Sequence, residues 1–143
     1  MKKNKTIVIA SHNSGKIKEM AFFLKKISVN ILSAKDFNLS EPIENGKTFE
    51  ENALIKARYV NKKVKKTSIA DDSGLVIPIL NGKPGIFSAR WAGKSKNFNI
   101  AMKKLKNLIF KKKVNAYYVS TLAICWNNRK EKTFTGKLFG EII

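Results

Sequence analysis

Thr6-Ile-Val-Ile-Ala10, followed at once by Ser11-His-Asn-Ser-Gly-Lys16 and then by a helical pattern to Lys26, decides the fold class of this chain. The first five residues are a short apolar run of the kind that forms a buried strand. Ile17, Met20, Ala21 and Leu24 then recur at helical spacing, so the polar hexapeptide is the loop of a strand–loop–helix unit. Working outward, Val29 to Ser33 reads as a second strand. Glu41 to Lys47 is a polar connection, and Thr48 with Glu51 three residues on forms a capping box. Ala53, Ala57, Val60 and Val64 mark one apolar face of the helix that follows.

Ser68-Ile-Ala70 predicts a strand that ends at Asp71-Asp72-Ser73-Gly74, and Leu75 to Leu80 a further one. Pro78 would put that second strand at an edge or bulge. Asn81 to Gly85 is a turn, Phe98 to Phe110 a helix, and Ala116–Trp126 with Thr133–Ile143 a strand pair joined around Asn127-Asn128. Strands and helices interleave without a repeat or linker, which predicts one α/β domain over residues 1–143 built on a mixed sheet.

Composition narrows the function classes. Hydrophobic residues make up 43% of the 143, enough for a globular core. No apolar run approaches the roughly 20 residues that span a bilayer, so no membrane partner is expected. Basic Met1 to Lys5 precedes too short an apolar run for a signal peptide. The lone Cys125 lies in the apolar run Leu122–Trp126 and reads as a core residue of a cytoplasmic protein.

The net charge of +19 invites a nucleic-acid reading. Yet 26 of the 29 basic residues are lysines spread along the chain, at helix ends and outer faces such as Lys62–Lys66, Lys103–Lys106 and Lys111–Lys113. RNA-binding surfaces more often use arginine with exposed aromatics. An anionic small molecule accounts for the charge equally well.

Three local features carry chemistry. In Ser11-His-Asn-Ser-Gly-Lys16 the small residues let backbone amides approach an anion at a helix N-terminus, and Lys16 adds a charge. A capped helix start is the plain alternative. Asp71 and Asp72 after a strand can hold a hard cation and orient water; solvated aspartates in an Asx turn would look the same. Glu50 and Glu51 are explained by capping and the helix dipole. Glu44 in the preceding loop is not, which makes it the better metal-ligand candidate. His12 reads as a loop residue whose backbone matters more than its ring.

Taken together, the motifs resemble the inosine-triphosphatase or Ham1-like family of noncanonical purine nucleotide pyrophosphatases. The resemblance rests on Ser11 to Glu19, Thr48-Phe-Glu-Glu-Asn-Ala-Leu-Ile-Lys-Ala-Arg58, Ala70-Asp-Asp-Ser-Gly-Leu75 and Gly82-Lys-Pro-Gly-Ile-Phe-Ser-Ala-Arg-Trp-Ala-Gly93, in order through residues 5–138. It implies an elongated, two-lobed α/β fold and a homodimer. It also implies Mg2+-dependent hydrolysis of ITP, dITP or XTP to the monophosphate and pyrophosphate. By the same resemblance Ser11, His12, Asn13, Ser14, Gly15 and Lys16 bind phosphates and Ser73 contacts substrate. Asp72 is implied as general base and metal ligand, Glu44 as second ligand, and Asp71 and Lys56 as polar positions near the phosphates.

Family members continue with a Phe-Gly-Tyr-Asp segment, a downstream lysine and a Ser-His-Arg motif. These are absent from the 143 residues, so the expectation is a chain that keeps the phosphate and metal half and lacks the closing, base-recognising part. A catalytically impaired remnant and a basic nucleic-acid-binding protein are the competing expectations.

Overall fold

A computed structural model describes residues 5–91, 97–109 and 113–143, with Phe98 described by its backbone alone. The chain runs β1 (Lys5–Ile9), α1 (Ser14–Leu24), β2 (Val29–Ser33), a 3-10 turn (Ala34–Phe37), α2 (Phe49–Val64) and β3 (Thr67–Val76). Two 3-10 turns (Pro78–Leu80, Gly85–Phe87), α3 (Ser88–Trp91), α4 (Phe98–Leu108), β4 (Val114–Cys125) and β5 (Glu131–Ile142) follow. The five strands form one sheet in the order β2-β1-β3-β4-β5. β1 lies between β2 and β3, parallel to both, with Ile9 beside Ser33 on one side and Ile69 on the other. β4 and β5 are sheet neighbours joined by a tight turn that Trp126 N–H closes on Lys130 O at 2.9 Å, an antiparallel hairpin. The α/β class with a mixed sheet is therefore as expected.

The chain divides into two compact units, residues 1–71 with 121–134 and residues 72–120 with 135–143. Each has its own core. In the first, Val8, Ala10, Ala53, Ala57, Val60, Ala70 and Ala123 pack together with the thiol of Cys125. Ala53, Ala57 and Val60 form the buried face of α2 that the spacing predicted. Small alanines there let the helix lie close to the sheet. In the second, Ile77, Leu105, Val114 and Ala116 are buried, with Trp91 and Ile142 packed against them.

Several boundaries differ from the sequence reading, and each difference has a cause. α1 begins at Ser14, not Lys16, because the Asn13 side chain caps it, accepting from Gly15 N–H and Lys16 N–H. The Asp71–Gly74 segment is neither a turn nor a strand end: β3 runs unbroken from Thr67 to Val76. Residues with turn propensity are overridden there by pairing inside the sheet. Leu75 to Leu80 is correspondingly not a separate strand. Pro78 instead opens a 3-10 turn, which suits its fixed φ and missing N–H.

The turn at Asn81 to Gly85 is as predicted, with Asn81, Gly82 and Gly85 at positive φ. Lys62, Lys63, Lys103, Lys104 and Lys106 are exposed, as expected of solvated lysines, while Lys111 and Lys112 lie outside the described residues. Phe110, predicted as the end of α4, also lies outside them; the helix ends at Leu108. No described helix is long and apolar enough to cross a membrane.

Candidate active site

β1 connects through α1 to β2 on one side and β3 connects onward to β4 on the other, so the two connections leave in opposite directions where β1 meets β3. In open α/β sheets that reversal opens a crevice outside the strand ends, where ligands bind. The segment that fills the position is Ser11 to Lys16, the loop and first turn of α1. Asn13, Ser14 and Gly15 are exposed there, while Ser11, His12 and Lys16 are half-buried.

The loop is held in shape by its own side chains. Ser11 Oγ accepts from Asn13 N–H at 3.1 Å, and Asn13 Oδ1 accepts from Gly15 N–H at 2.9 Å. His12 has a more specific duty than its backbone alone: its Nε2 is 2.7 Å from Leu39 O and its Nδ1 is 3.6 Å from Glu41. The ring thereby ties the loop to the segment that leads to Glu44.

β3 brings a carboxylate to the same end of the sheet. Ala10 N–H donates to Ile69 O at 2.8 Å, so the Ser11–Lys16 loop leaves β1 where β3 runs on toward Asp71. Lys16 reaches across from α1 and its Nζ stands 2.9 Å from Asp71 Oδ2. Asp71 is 8% exposed, and its Oδ1 is buried with no hydrogen-bond partner among the described residues. An unmatched buried carboxylate oxygen is costly unless a donor, water or cation completes it.

Asp71 and Asp72 are successive residues of β3, so their side chains project to opposite faces of the strand. Asp72 is as buried as its neighbour, at 9% exposure. It opens the second unit. There Tyr118 Oη donates to Ser73 Oγ at 3.0 Å, a partner for Ser73 that the sequence reading did not single out. Its signal, a tyrosine in an alternating strand, is indistinguishable from ordinary packing.

Glu44 stands in a loop whose exit is clamped by the first turn of α2. Thr48 Oγ1 accepts from Glu51 N–H at 3.0 Å, as a capping box requires. The return bond is displaced by one residue: Glu51 Oε2 accepts from Lys47 N–H at 2.6 Å. Asn52, only 2% exposed, accepts from Gly46 N–H at 2.8 Å. This buried amide is a second residue the sequence reading missed, since nothing in a helical apolar pattern distinguishes a clamp from a tolerated polar residue. Lys56, one turn further along α2, pairs with Glu44 at 3.2 Å.

The first unit thus holds the pairs Lys16–Asp71, at the Ser11–Lys16 loop, and Lys56–Glu44. Among the described residues no three of His, Cys, Asp and Glu converge as a metal-binding group. In the second unit, Ser88 of the Gly82–Trp91 motif fixes that segment to β3, accepting from Leu75 N–H at 2.9 Å and donating to Gly85 O at 2.6 Å. Ala92 and Gly93, the end of the motif, lie outside the described residues.

The chain is similar to known proteins. Residues 7–143 match the profile of the Ham1 family. A Zymomonas mobilis protein named dITP/XTP pyrophosphatase is 39% identical over 141 residues, covering 96% of this chain and 68% of its own length. One of the same name from Thermoanaerobacter pseudethanolicus is 42% identical over 142 residues, covering 96% and 71%. Among solved structures, the Staphylococcus aureus Ham1 protein superposes with a TM-score of 0.87 at 37% identity, covering 97% of this chain and 72% of that one. A HAM1 protein from Coxiella burnetii gives 0.81 at 33%, covering 96% and 73%.

Proposed function

Because this chain belongs to the Ham1 family, we propose that it hydrolyses noncanonical purine nucleoside triphosphates, dITP, XTP and ITP, to the monophosphate and pyrophosphate. The observation that carries the reading is the Lys16–Asp71 pair beside the Ser11–Lys16 loop, at the carboxyl end of β1. A helix N-terminus suits an anion, which would take over the Gly15 and Lys16 amides that the Asn13 side chain now caps. The Lys16 ammonium is a point charge that a triphosphate can share with Asp71.

In this reading the loop binds the phosphates and Ser73 contacts the substrate. Asp72 takes the proton of the attacking water as oxygen bonds to the α-phosphorus. The bond from that phosphorus to the bridging oxygen breaks, and the pair of electrons leaves with pyrophosphate. A base so placed contributes about 10²–10⁴-fold.

Mg2+ belongs to the same proposal. Asp72 and Glu44 would hold it, as hard oxygen ligands of the kind it prefers, with remaining positions left to water and phosphate oxygens. An all-oxygen donor set with few protein ligands fits this ion, which is seldom held by a complete protein cage. When bound it neutralises charge on the phosphates. Lys56 then competes with the ion for Glu44.

The family resemblance also extends the proposal to a homodimer in the cytoplasm. The lone Cys125, which has no second cysteine in the 143 residues to pair with, suits a reducing compartment, and burial, with the Glu131 charge adding to it, pushes its thiol up. Nucleic acid is not the substrate in this reading, because exposed lysines such as Lys103, Lys104 and Lys106 of α4 are solvated helix residues.

The direct test is pyrophosphate release from dITP and XTP, each with and without magnesium, against ATP. Metal-dependent release from dITP or XTP is the expected result. Absence of release from any triphosphate by folded protein, with or without the metal, would make the chain a binding remnant instead.

A further inference from the structure

At the opposite end of the first unit from the Ser11–Lys16 loop lies a pocket of about 650 Å³ that the proposed reaction does not use. It is lined by the last turns of α2 and by the hairpin turn between β4 and β5. The separation follows from β3. Asn61, in the pocket wall, donates to Lys66 O just before that strand begins. Asp71 lies four steps beyond Thr67, about 13 Å along an extended chain.

Two elements far apart in sequence converge on the pocket with the same sign of charge. α2 contributes Arg58, Lys62 and Lys65; the turn contributes Arg129 and Lys130. The single acid in the lining, Glu131, is bound to Arg58, whose Nε donates to Glu131 Oε2 at 2.8 Å. Lys62, Lys65, Arg129 and Lys130 are exposed. Lysines near a helix C-terminus ordinarily serve the dipole, but that does not explain the two cations arriving from the turn.

The pocket also holds an aromatic surface. Trp126 is 37% exposed at its mouth. Asn61 donates to the carbonyls of Lys66 and Cys125 and to Asn127 Oδ1, at 2.8, 3.5 and 3.2 Å, so the wall beneath is tied together before any ligand arrives. Volume, cations and an exposed indole are the complement of one nucleotide unit: phosphate on ammonium and guanidinium groups, and a flat base on Trp126.

We propose that this pocket is a second, non-catalytic site for a nucleotide unit, free or at the end of a single strand. The phosphate is held by Lys62, Lys65 and Lys130, and the base stacks on Trp126. The proposal is independent of the hydrolytic reading, because none of these residues belongs to the proposed catalytic set.

The experiment titrates adenosine 5′-monophosphate, and separately a short oligo(dA), into the Asp72→Asn protein without magnesium, following tryptophan fluorescence and calorimetric heat. Saturable quenching is expected. It should be lost in Trp126→Leu, with binding roughly ten- to hundredfold weaker. It should weaken likewise in Lys62→Gln/Lys65→Gln/Lys130→Gln, while the charge-matched Lys103→Gln/Lys104→Gln/Lys106→Gln protein binds as the parent does. Thermal melts of all variants report folding without reference to activity. Binding of the mononucleotide assigns a free ligand; binding of the oligonucleotide alone assigns a strand end. No saturable binding, or equal weakening by the two triple variants, overturns the site and leaves only diffuse attraction to a basic protein.

Discussion

At the residue scale the proposed site depends on what each charged group is bonded to before substrate arrives. Asp72 is buried at the start of the second unit, and an amide in its place keeps the shape but takes no proton and binds magnesium poorly. Asp72→Asn is therefore expected to lower kcat for dITP by about 10²–10⁴-fold with a much smaller change in KM. Near-parent turnover would remove Asp72 from the role of base. Lys16 is committed to Asp71 at 2.9 Å, so removing it also leaves a buried carboxylate without its counter-charge. Lys16→Ala is expected to raise KM for every triphosphate tested, with the preference between dITP and dATP preserved, because an ammonium carries no information about the base. A changed base preference, read from kcat/KM for the two nucleotides, would place Lys16 away from the phosphates.

Element scale is where the loop that carries Glu44 acquires its position. A Cβ on Gly46 would stand 2.7 Å from both Asn52 Oδ1 and Glu51 Cβ. Neither neighbour can retreat, since Asn52 is buried and Glu51 sits in the first turn of α2. Gly46→Ala should therefore shift the loop and cost about 1–3 kcal/mol of stability, as overpacking does. It should also raise the magnesium concentration needed for half-maximal activity. An unchanged midpoint in urea and an unchanged magnesium response would show that the loop is not clamped.

The link between α2 and β5 is a different kind of contact. Arg58 holds the Glu131 carboxyl below the ordinary carboxylate range by hydrogen bonds and charge, against a smaller opposing effect of burial. A depressed carboxyl stabilises the fold above its unfolded pKa, and that contribution disappears as pH falls through the lower folded value. Melting temperature should thus drop more steeply below about pH 4.3, the unperturbed value for glutamate, in the parent than in Glu131→Gln. At neutral pH the substitution should cost no more than about 1 kcal/mol, because the pair is partly exposed. Parallel acid melting curves for the two proteins would contradict the pairing.

Over the whole molecule the dominant electrostatic fact is +19 on 143 residues. Excess charge of one sign repels itself in the compact state. Raising the salt from about 10 mM to about 150 mM shortens the screening length from about 30 Å to about 8 Å. Repulsion among dispersed lysines should weaken more than the close pairs Lys16–Asp71 and Lys56–Glu44. The melting temperature is expected to rise by a few degrees over this range, roughly what 1 kcal/mol delivers for a domain of this size. A fall would mean that the few ion pairs outweigh the net charge.

What the sequence determined by itself was local. Val29 to Ser33 is a strand on its apolar run, and Thr48 caps α2 on its hydroxyl. The alanine face of that helix follows from helical spacing alone, and the ordered motifs were sufficient for the family. These features depend on interactions within a few residues, which composition and periodicity encode directly. Tertiary structure alone decided that Asp71-Asp72-Ser73-Gly74 continues a strand, since turn-forming residues yield to pairing within a sheet. It also decided the order β2-β1-β3, which brings Asp71 within reach of Lys16. The His12 tie to Leu39, the Asn52 clamp on Gly46 and the Tyr118 bond to Ser73 were equally hidden. Each joins residues through space by a side chain whose type is common everywhere, so its role exists only once the chain has brought its partner to it.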